Sequence, residues 1–516
     1  MSPSAPWSPE PAALPAASLA ALLHQRADER PLATALRWHE PGQPTPAPRW
    51  SHLTFGELDQ HARAFARSLA DHHGVDRNDR VAWLGLNHPG QIALLFALAR
   101  LGAMLVPLNH RLSPTEWAGV LGDCRPALLV HDTALAAPAR TLAHPATLHV
   151  DDLPVDDTMD TEAPDNRDQP ALLVYTSGTT GAPRGAVHSQ ANLLANMAIA
   201  AQVQGMSVQD TVLTVLPLFH VGGLCIQTLP ALSTGAQVLL HSRFDAGTTL
   251  RSLREDRPTL TLQVPATLQA LTTHADWDST DLASLRAIWA GSSLLPAPLI
   301  QACHARGVPV CNVYGSTETG PFSIALPPEL AASHLGSCGW AAPGVQVTLR
   351  DPAGMSIQPG EVGEVWVRAP NVVRHYWPAQ PACDADGFFH SGDLARQATD
   401  GSFTVVGRAK DMLISGGENI YPAEIENLLV QHPWVAECAV VGQEDPRWGE
   451  AVVAVVVLHE GADTDWVPVL QAFLDGRLAR YKWPRRWHRV AALPRTALGK
   501  VQKPAIKALL DGAAGT

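Results

Sequence analysis

The chain has 516 residues, 46% hydrophobic and 17% charged, so it can bury a large core and is neither disordered nor fibrous. A formal net charge of -12 argues against a nucleic-acid coat and gives no general pull towards an anionic membrane surface. Seven widely spaced cysteines without a C-x-x-C, and 22 histidines without zinc-ligand spacing, point to reduced thiols in a cytoplasmic protein rather than a disulfide framework or a zinc site.

The apolar N-terminal patch follows Glu10 and precedes the first basic residue, Arg26, which is the reverse of a secretory leader. Ser18 instead caps a helix over "LAALLHQRA". Phe55–His73 reads as a helix capped by Thr54 and stopped by Gly74. The run from Ile92 to Leu108 is broken by Arg100, Gly102 and Pro107, which suits a buried helix followed by a strand and cannot span a bilayer.

Short apolar runs follow at "VAWLGL" (81–86), "ALLV" (127–130), "ALLVYTS" (171–177), "TVLTVLP" (211–217), "LRAIWAG" (285–291) and "VPVCNVYG" (308–315). With helical patterns between them they predict α/β layers with largely buried parallel strands. From Gly336 to Trp377 the pattern changes to hairpins, a small β-subdomain. After "GRAKDMLISGGENIYP" it becomes helix (423–433), strand (435–442), strand (451–458), helix (466–478), a compact α+β unit. The expected fold is therefore α/β: a large N-terminal domain of layered α/β subdomains with a β-subdomain, then a small mobile α+β domain. The boundary is expected between residues 1–409 and 410–516.

"YTSGTTGAPRGAVH" (175–188) places Thr176, Ser177, Gly178, Thr179, Thr180 and Gly181 after an apolar strand. Glycines let the backbone curl so that several N–H groups converge on phosphate oxygens, and the hydroxyls add donors. It is not a Walker loop, because Ala, Pro and Arg184 follow Gly181 where G-K-[ST] is required.

"TSGTTGAPRG" resembles the phosphate loop of the adenylate-forming superfamily of acyl-CoA synthetases, luciferases and peptide-synthetase adenylation domains. Four more stretches match that family in order: "PLFHVGG" (217–223), "YGSTETG" (314–320), "SGDL" with "GRAKDMLISGGENIYPAEIE" (391–394, 407–426), and "LPRTALGKVQK" (493–503). The resemblance runs from the Ser18 helix to Lys503.

The resemblance implies an ATP-dependent carboxylic acid–CoA ligase that forms an acyl-adenylate and then a thioester, with ATP, Mg²⁺ and coenzyme A. The 176–181 loop would cradle the β- and γ-phosphates, with Arg184 in place of the usual lysine. Glu318 would be the Mg²⁺ ligand, a hard carboxylate oxygen, with Thr317 near the α-phosphate, Tyr314 on the adenine and Gly315 beside it. Gly291, Ser292 and Ser293 of "AGSS" would flank the adenine and the acyl pocket. Asp393 would accept from the ribose hydroxyls, Arg408 would lie near ribose and phosphate, and Lys410 would be the hinge. Lys500, preferred to Lys503 because Gly499 precedes it, would bridge substrate carboxylate and α-phosphate as a mobile point charge.

For the second step, Gly416 and Gly417 would let a pantetheine arm pass close to backbone, and Trp448 would line its tunnel. Tyr481, Lys482 and Arg485 fall where related ligases contact the CoA nucleotide. His220 stands where amino-acid-activating relatives carry Asp, so an amino acid is not expected as substrate. With Val221, Gly222, Gly223, Gln263, Val264 and Pro265 it frames an uncharged pocket for a fatty or aryl monocarboxylic acid. The alternative is an adenylating enzyme serving an acceptor other than CoA; Trp448 and the Gly416–Gly417 pair count against it. The expected partner is a small-molecule carboxylic acid; a homodimer is allowed, whereas nucleic acid and stable membrane insertion are not expected.

Overall fold

The computed structural model describes residues 6–7, 10, 16–39, 50–142, 144, 146–156, 167–176, 183–291, 295–415, 418–462, 465–496 and 501–513. Ser177, Gly178, Thr179, Thr180, Gly181, Ser292, Ser293, Gly416, Gly417 and Lys500 lie outside them.

Two mixed sheets form the large N-terminal part. One runs, among the described residues, Trp340–Ala341, Ile324–Ala325, Val310–Tyr314, Ala287–Ala290, Leu260–Gln263, Thr211–Thr214, Gln237–Leu240, Thr34–His39, Trp50–Thr54. The other runs Gln380–Pro381, His375–Tyr376, Arg184–Ser189, Pro170–Thr176, Met104–Pro107, Arg80–Leu84, Leu128–His131, Thr147–His149. The central strands are parallel and buried; antiparallel pairs occupy the edges, as at Arg184–Ser189. Burial on both faces explains why the central strands read as unbroken apolar runs.

The helix Pro89–Leu101 packs on the second sheet and against the helices Leu19–Glu29 and Phe55–His73, and Ile92 through Ala99 are all essentially buried. A helix apolar on every side belongs inside a core, and each such leucine contributes about 1.5–3 kcal/mol by leaving water. The helix Phe55–His73 begins with a reciprocal cap: Thr54 Oγ1 accepts from Glu57 N at 3.2 Å, and Glu57 Oε2 accepts from Thr54 N at 2.7 Å. It ends at Gly74 in the left-handed region, φ +63°.

The β-subdomain extends further than its turn signals suggest. Gln346–Arg350, Val362–Arg368, Phe389–Gln397 and Phe403–Arg408 form an antiparallel sheet that reaches Arg408. The C-terminal unit has Pro422–Leu429 and Trp466–Leu474 as helices and a sheet built on the long hairpin Val435–Asp445 with Gly449–Leu458. Its own apolar cluster includes Leu413, Ile425, Leu429, Val440, Val452, Leu470 and Leu474. Among the described residues no helix is long and apolar enough to cross a membrane.

Candidate active site

Four adjacent parallel strands of the first sheet deliver candidate residues at their carboxyl ends. Tyr314 closes Val310–Tyr314, Gly291 follows Ala287–Ala290, Val264 follows Leu260–Gln263, and the segment leading to His220 follows Thr214. The registers Gln263↔Ala290 and Ala290↔Asn312 bring the first three to one edge. Thr176 likewise ends its strand in the second sheet. The carboxyl edge of an α/β sheet is where such folds bind ligands, because strand ends and helix starts leave backbone groups free there.

Asp393, expected at the ribose, is held from two sides. Tyr314 donates to its Oδ2 at 2.9 Å, and Arg408 Nε lies 2.9 Å from its Oδ1. The pair Asp393↔Arg408 is a cross-strand neighbour pair of the antiparallel sheet. Gly392, at φ +69°, turns the chain just before it, and Ser391 Oγ accepts from Asp393 N at 3.0 Å while donating to Val365 O at 2.7 Å. Burial, then the neighbouring Asp393 charge, push the Tyr314 phenol well above its ordinary range, so it remains a donor at neutral pH.

Glu318 follows the Tyr314 strand through a tight turn. Gly315 has no room for a side chain, since a Cβ there would collide with the Pro321 carbonyl, and Ser316 N donates to Thr319 Oγ1 at 2.8 Å. Thr317 is buried beside it. One carboxylate oxygen of Glu318, Oε1, accepts from Tyr376 at 3.0 Å, and its backbone carbonyl accepts from Val373 N at 2.8 Å. Oε2 is a hard oxygen donor with no partner among the described residues, which fits Mg²⁺. Thr176 and Arg184, which bracket the glycine-rich stretch of the sequence, are a ladder pair, and the Arg184 guanidinium lies 5.6 Å from the Tyr376 ring centroid.

Among the residues expected around the acyl group, His220 caps a short helical turn, its Nδ1 accepting from Gly222 N at 3.0 Å, while Val221 is buried and Val264 half-buried. Gly291 is buried, and a Cβ there would lie 2.7 Å from Val313 O. In the C-terminal unit Trp448 is flanked by Arg485 at 3.7 Å and Arg447 at 4.8 Å from its ring. Tyr481 is exposed, whereas the Lys482 ammonium is held at 2.7 Å by both oxygens of Glu424. Lys410 is exposed in the 3₁₀ turn Ala409–Asp411.

Two residues escaped the sequence reading. Buried Asn87 accepts from Leu218 N at 2.7 Å and donates to Leu216 O and His241 O at 3.0 Å, so it pins the segment leading to His220 across the two sheets. A polar residue inside the apolar "LGLNHPG" was its only signal. Tyr376 had none beyond a lone tyrosine before Trp-Pro.

Tyr314, Glu318, Asp393 and His220, which the resemblance assigns to an adenylate-forming enzyme, are each held by a hydrogen bond. Comparison with known proteins agrees. Residues 23–377 match the model of the AMP-binding enzyme family, and residues 424–500 that of the AMP-binding enzyme C-terminal domain. The chain is 45% identical to the indoleacetate–CoA ligase of Aromatoleum aromaticum, over 85% of this chain and 89% of that one. It is 41% identical to a feruloyl-CoA synthase of Amycolatopsis sp, over 88% and 93%. The o-succinylbenzoate–CoA synthetase of Bacillus subtilis in complex with its acyl-adenylate intermediate superposes with a TM-score of 0.83 at 33% identity, covering 94% of this chain and 97% of that one. The chain belongs to the AMP-binding enzyme family and is an AMP-forming acid–thiol ligase.

Proposed function

We propose that this ligase activates an aromatic monocarboxylic acid, with the residues named above in the roles their positions support. The reaction itself is ATP-dependent acid–CoA ligation. In the first half the acid's carboxylate attacks the α-phosphorus, and the bond to the pyrophosphate oxygen breaks. In the second the CoA thiol attacks the acyl carbon, and AMP leaves.

Bringing two anions together requires fixed positive charge and alignment more than covalent help. Asp393, whose carboxylate is oriented by Tyr314 and Arg408, is the acceptor for the ribose hydroxyls in this reading. Mg²⁺, held through Glu318, supplies charge neutralisation on the triphosphate when bound. Lys500 stays our choice for the bridging cation: Lys503 is ion-paired with Glu426 at 2.8 Å. The domain boundary falls in the Ala409–Asp411 turn, where Lys410 is exposed. All seven cysteines are free thiols, in keeping with a reducing, cytoplasmic setting.

The observation that carries the aromatic reading over a fatty chain is the identity of 45% and 41% to ligases named for indoleacetate and ferulate. An acyl end of Val221, Gly222 and Val264, without an arginine, suits one carboxylate and an apolar body. The test is mass-spectrometric product detection with ATP, Mg²⁺, CoA and a panel of arylacetic, cinnamic, benzoic and straight-chain acids. Thioesters confined to aryl acids are expected; thioesters of the straight-chain acids alone would reject the reading.

A further inference from the structure

Tyr376 lies where two parts of the site meet, and neither the motifs nor the family resemblance gives it a task. It is 8% exposed, on the two-residue strand His375–Tyr376, paired with Ala186 of Arg184–Ser189. Trp377 N donates to Gly185 O at 2.7 Å, and Trp377 Nε1 to Asp123 O at 3.3 Å. The same stretch grips Glu318 twice, through Val373 N to its carbonyl at 2.8 Å and through the Tyr376 hydroxyl to its Oε1 at 3.0 Å. On the other side the Arg184 guanidinium lies 5.6 Å from the Tyr376 ring centroid.

We propose that Tyr376 is a positioning residue for adenylation: its hydroxyl fixes one oxygen of Glu318 so that the other is left for Mg²⁺, and its ring carries Arg184. This rests on the assignment of Glu318 as the metal ligand. The physical case is that one side chain supplies two different interactions to two separately folded elements. A carboxylate free to rotate would offer the metal either oxygen or both; a hydrogen bond to one oxygen selects one-oxygen coordination. A guanidinium is planar and weakly hydrated, so it can rest on an aromatic face while its N–H groups point elsewhere, which an ammonium does less well. Tyr376 thus couples the strand that returns from the phosphate loop to the metal carboxylate.

The two roles separate by substitution. Tyr376→Phe keeps the ring and loses the hydroxyl, whereas Tyr376→Leu loses both. The readout is Mn²⁺ binding in the presence of ATP and absence of acid, followed by electron paramagnetic resonance, with ATP KM for pyrophosphate release measured alongside. Tyr376→Phe is expected to weaken Mn²⁺ binding about tenfold and to leave the acid KM unchanged. Tyr376→Leu should in addition raise the ATP KM by about two- to fivefold. In a Glu318→Gln background, Tyr376→Phe should have no further effect on Mn²⁺ binding. If Glu318→Gln weakens binding and Tyr376→Phe costs the same factor in both backgrounds, the hydroxyl does not act through Glu318 and the proposal falls alone. If Glu318→Gln binds Mn²⁺ as tightly as the parent, the metal assignment falls and takes the proposal with it.

Discussion

Replacing Asp393 by Asn isolates the nucleotide end. Asp393 is 9% exposed, and Tyr314 and Arg408, each at 2.9 Å, engage its carboxylate. In the proposed role the same carboxylate accepts from the two ribose hydroxyls. Asn keeps a single oxygen, and its amide N–H groups meet Tyr314 or Arg408 as donor against donor. Hydrogen bonds to a charged acceptor are worth about 1.5–3 kcal/mol and neutral ones about 0.5–1.5 kcal/mol, so weakening one ribose contact and losing the other costs about 2–3 kcal/mol. That corresponds to an ATP KM raised about 30- to 150-fold. The ion pair with Arg408 adds little to stability, because the Arg408 side chain is 46% exposed and water screens it. The assay is pyrophosphate release against ATP concentration, with thermal unfolding as a control. A KM within about threefold of the parent at unchanged Tm would refute the ribose role of Asp393.

Lys500→Ala should nearly abolish adenylation while thioester formation from supplied acyl-AMP continues; equal loss of both halves, measured separately, would reject its assignment. Gly417→Leu should block thioester formation with adenylation intact, read as acyl-AMP accumulating in the presence of CoA. Burial holds the His188 imidazole down to about 4 from an ordinary 6.5, and neither ring nitrogen has a partner among the described residues. Above pH 6.5 both folded and unfolded chains carry it neutral. As pH falls from 6.5 towards 4 the unfolded chain takes up a proton that the folded chain refuses, and stability drops by about 3 kcal/mol across that window. Denaturant unfolding at stepped pH should show that loss diminished in His188→Leu, and an identical pH slope in the variant would refute it.

Local signals were legible because their physics is local. Thr54 and Gly74 bound the helix at both ends, and the apolar runs marked the buried strands. What the sequence could not show is what depends on partners far away in the chain. Tyr376 meets Glu318 across 58 positions, and Asn87 meets Leu218 across 131. The edge hairpin Thr34–His39 with Trp50–Thr54 also escaped notice, since its Pro-rich surroundings masked a strand pair. Arg184–Ser189 was hidden inside a motif read for its loop rather than for the antiparallel strand that closes it.

The basic C-terminal segment shows the same principle applied to charge. Ten Lys or Arg lie between Arg477 and Lys507, among them Lys482 and Arg485 of the expected CoA-nucleotide contact. The fold pairs six of them with carboxylates: Lys482 with Glu424, Lys503 with Glu426, Arg486 with Asp445, Arg495 with Glu437 and Arg480 with Asp475 at 2.7–3.1 Å, and Lys507 with Glu450 at 4.0 Å. Lys482 could meet a CoA phosphate only by exchanging a carboxylate it already holds, an exchange that gains little because one anion replaces another. Arg485 differs. It stacks on Trp448 at 3.7 Å and has no carboxylate partner among the described residues, so its charge is free to be spent on a ligand. If a CoA nucleotide is recognised on this face, the recognition therefore centres on Arg485 and Trp448 rather than on the number of positive charges around them.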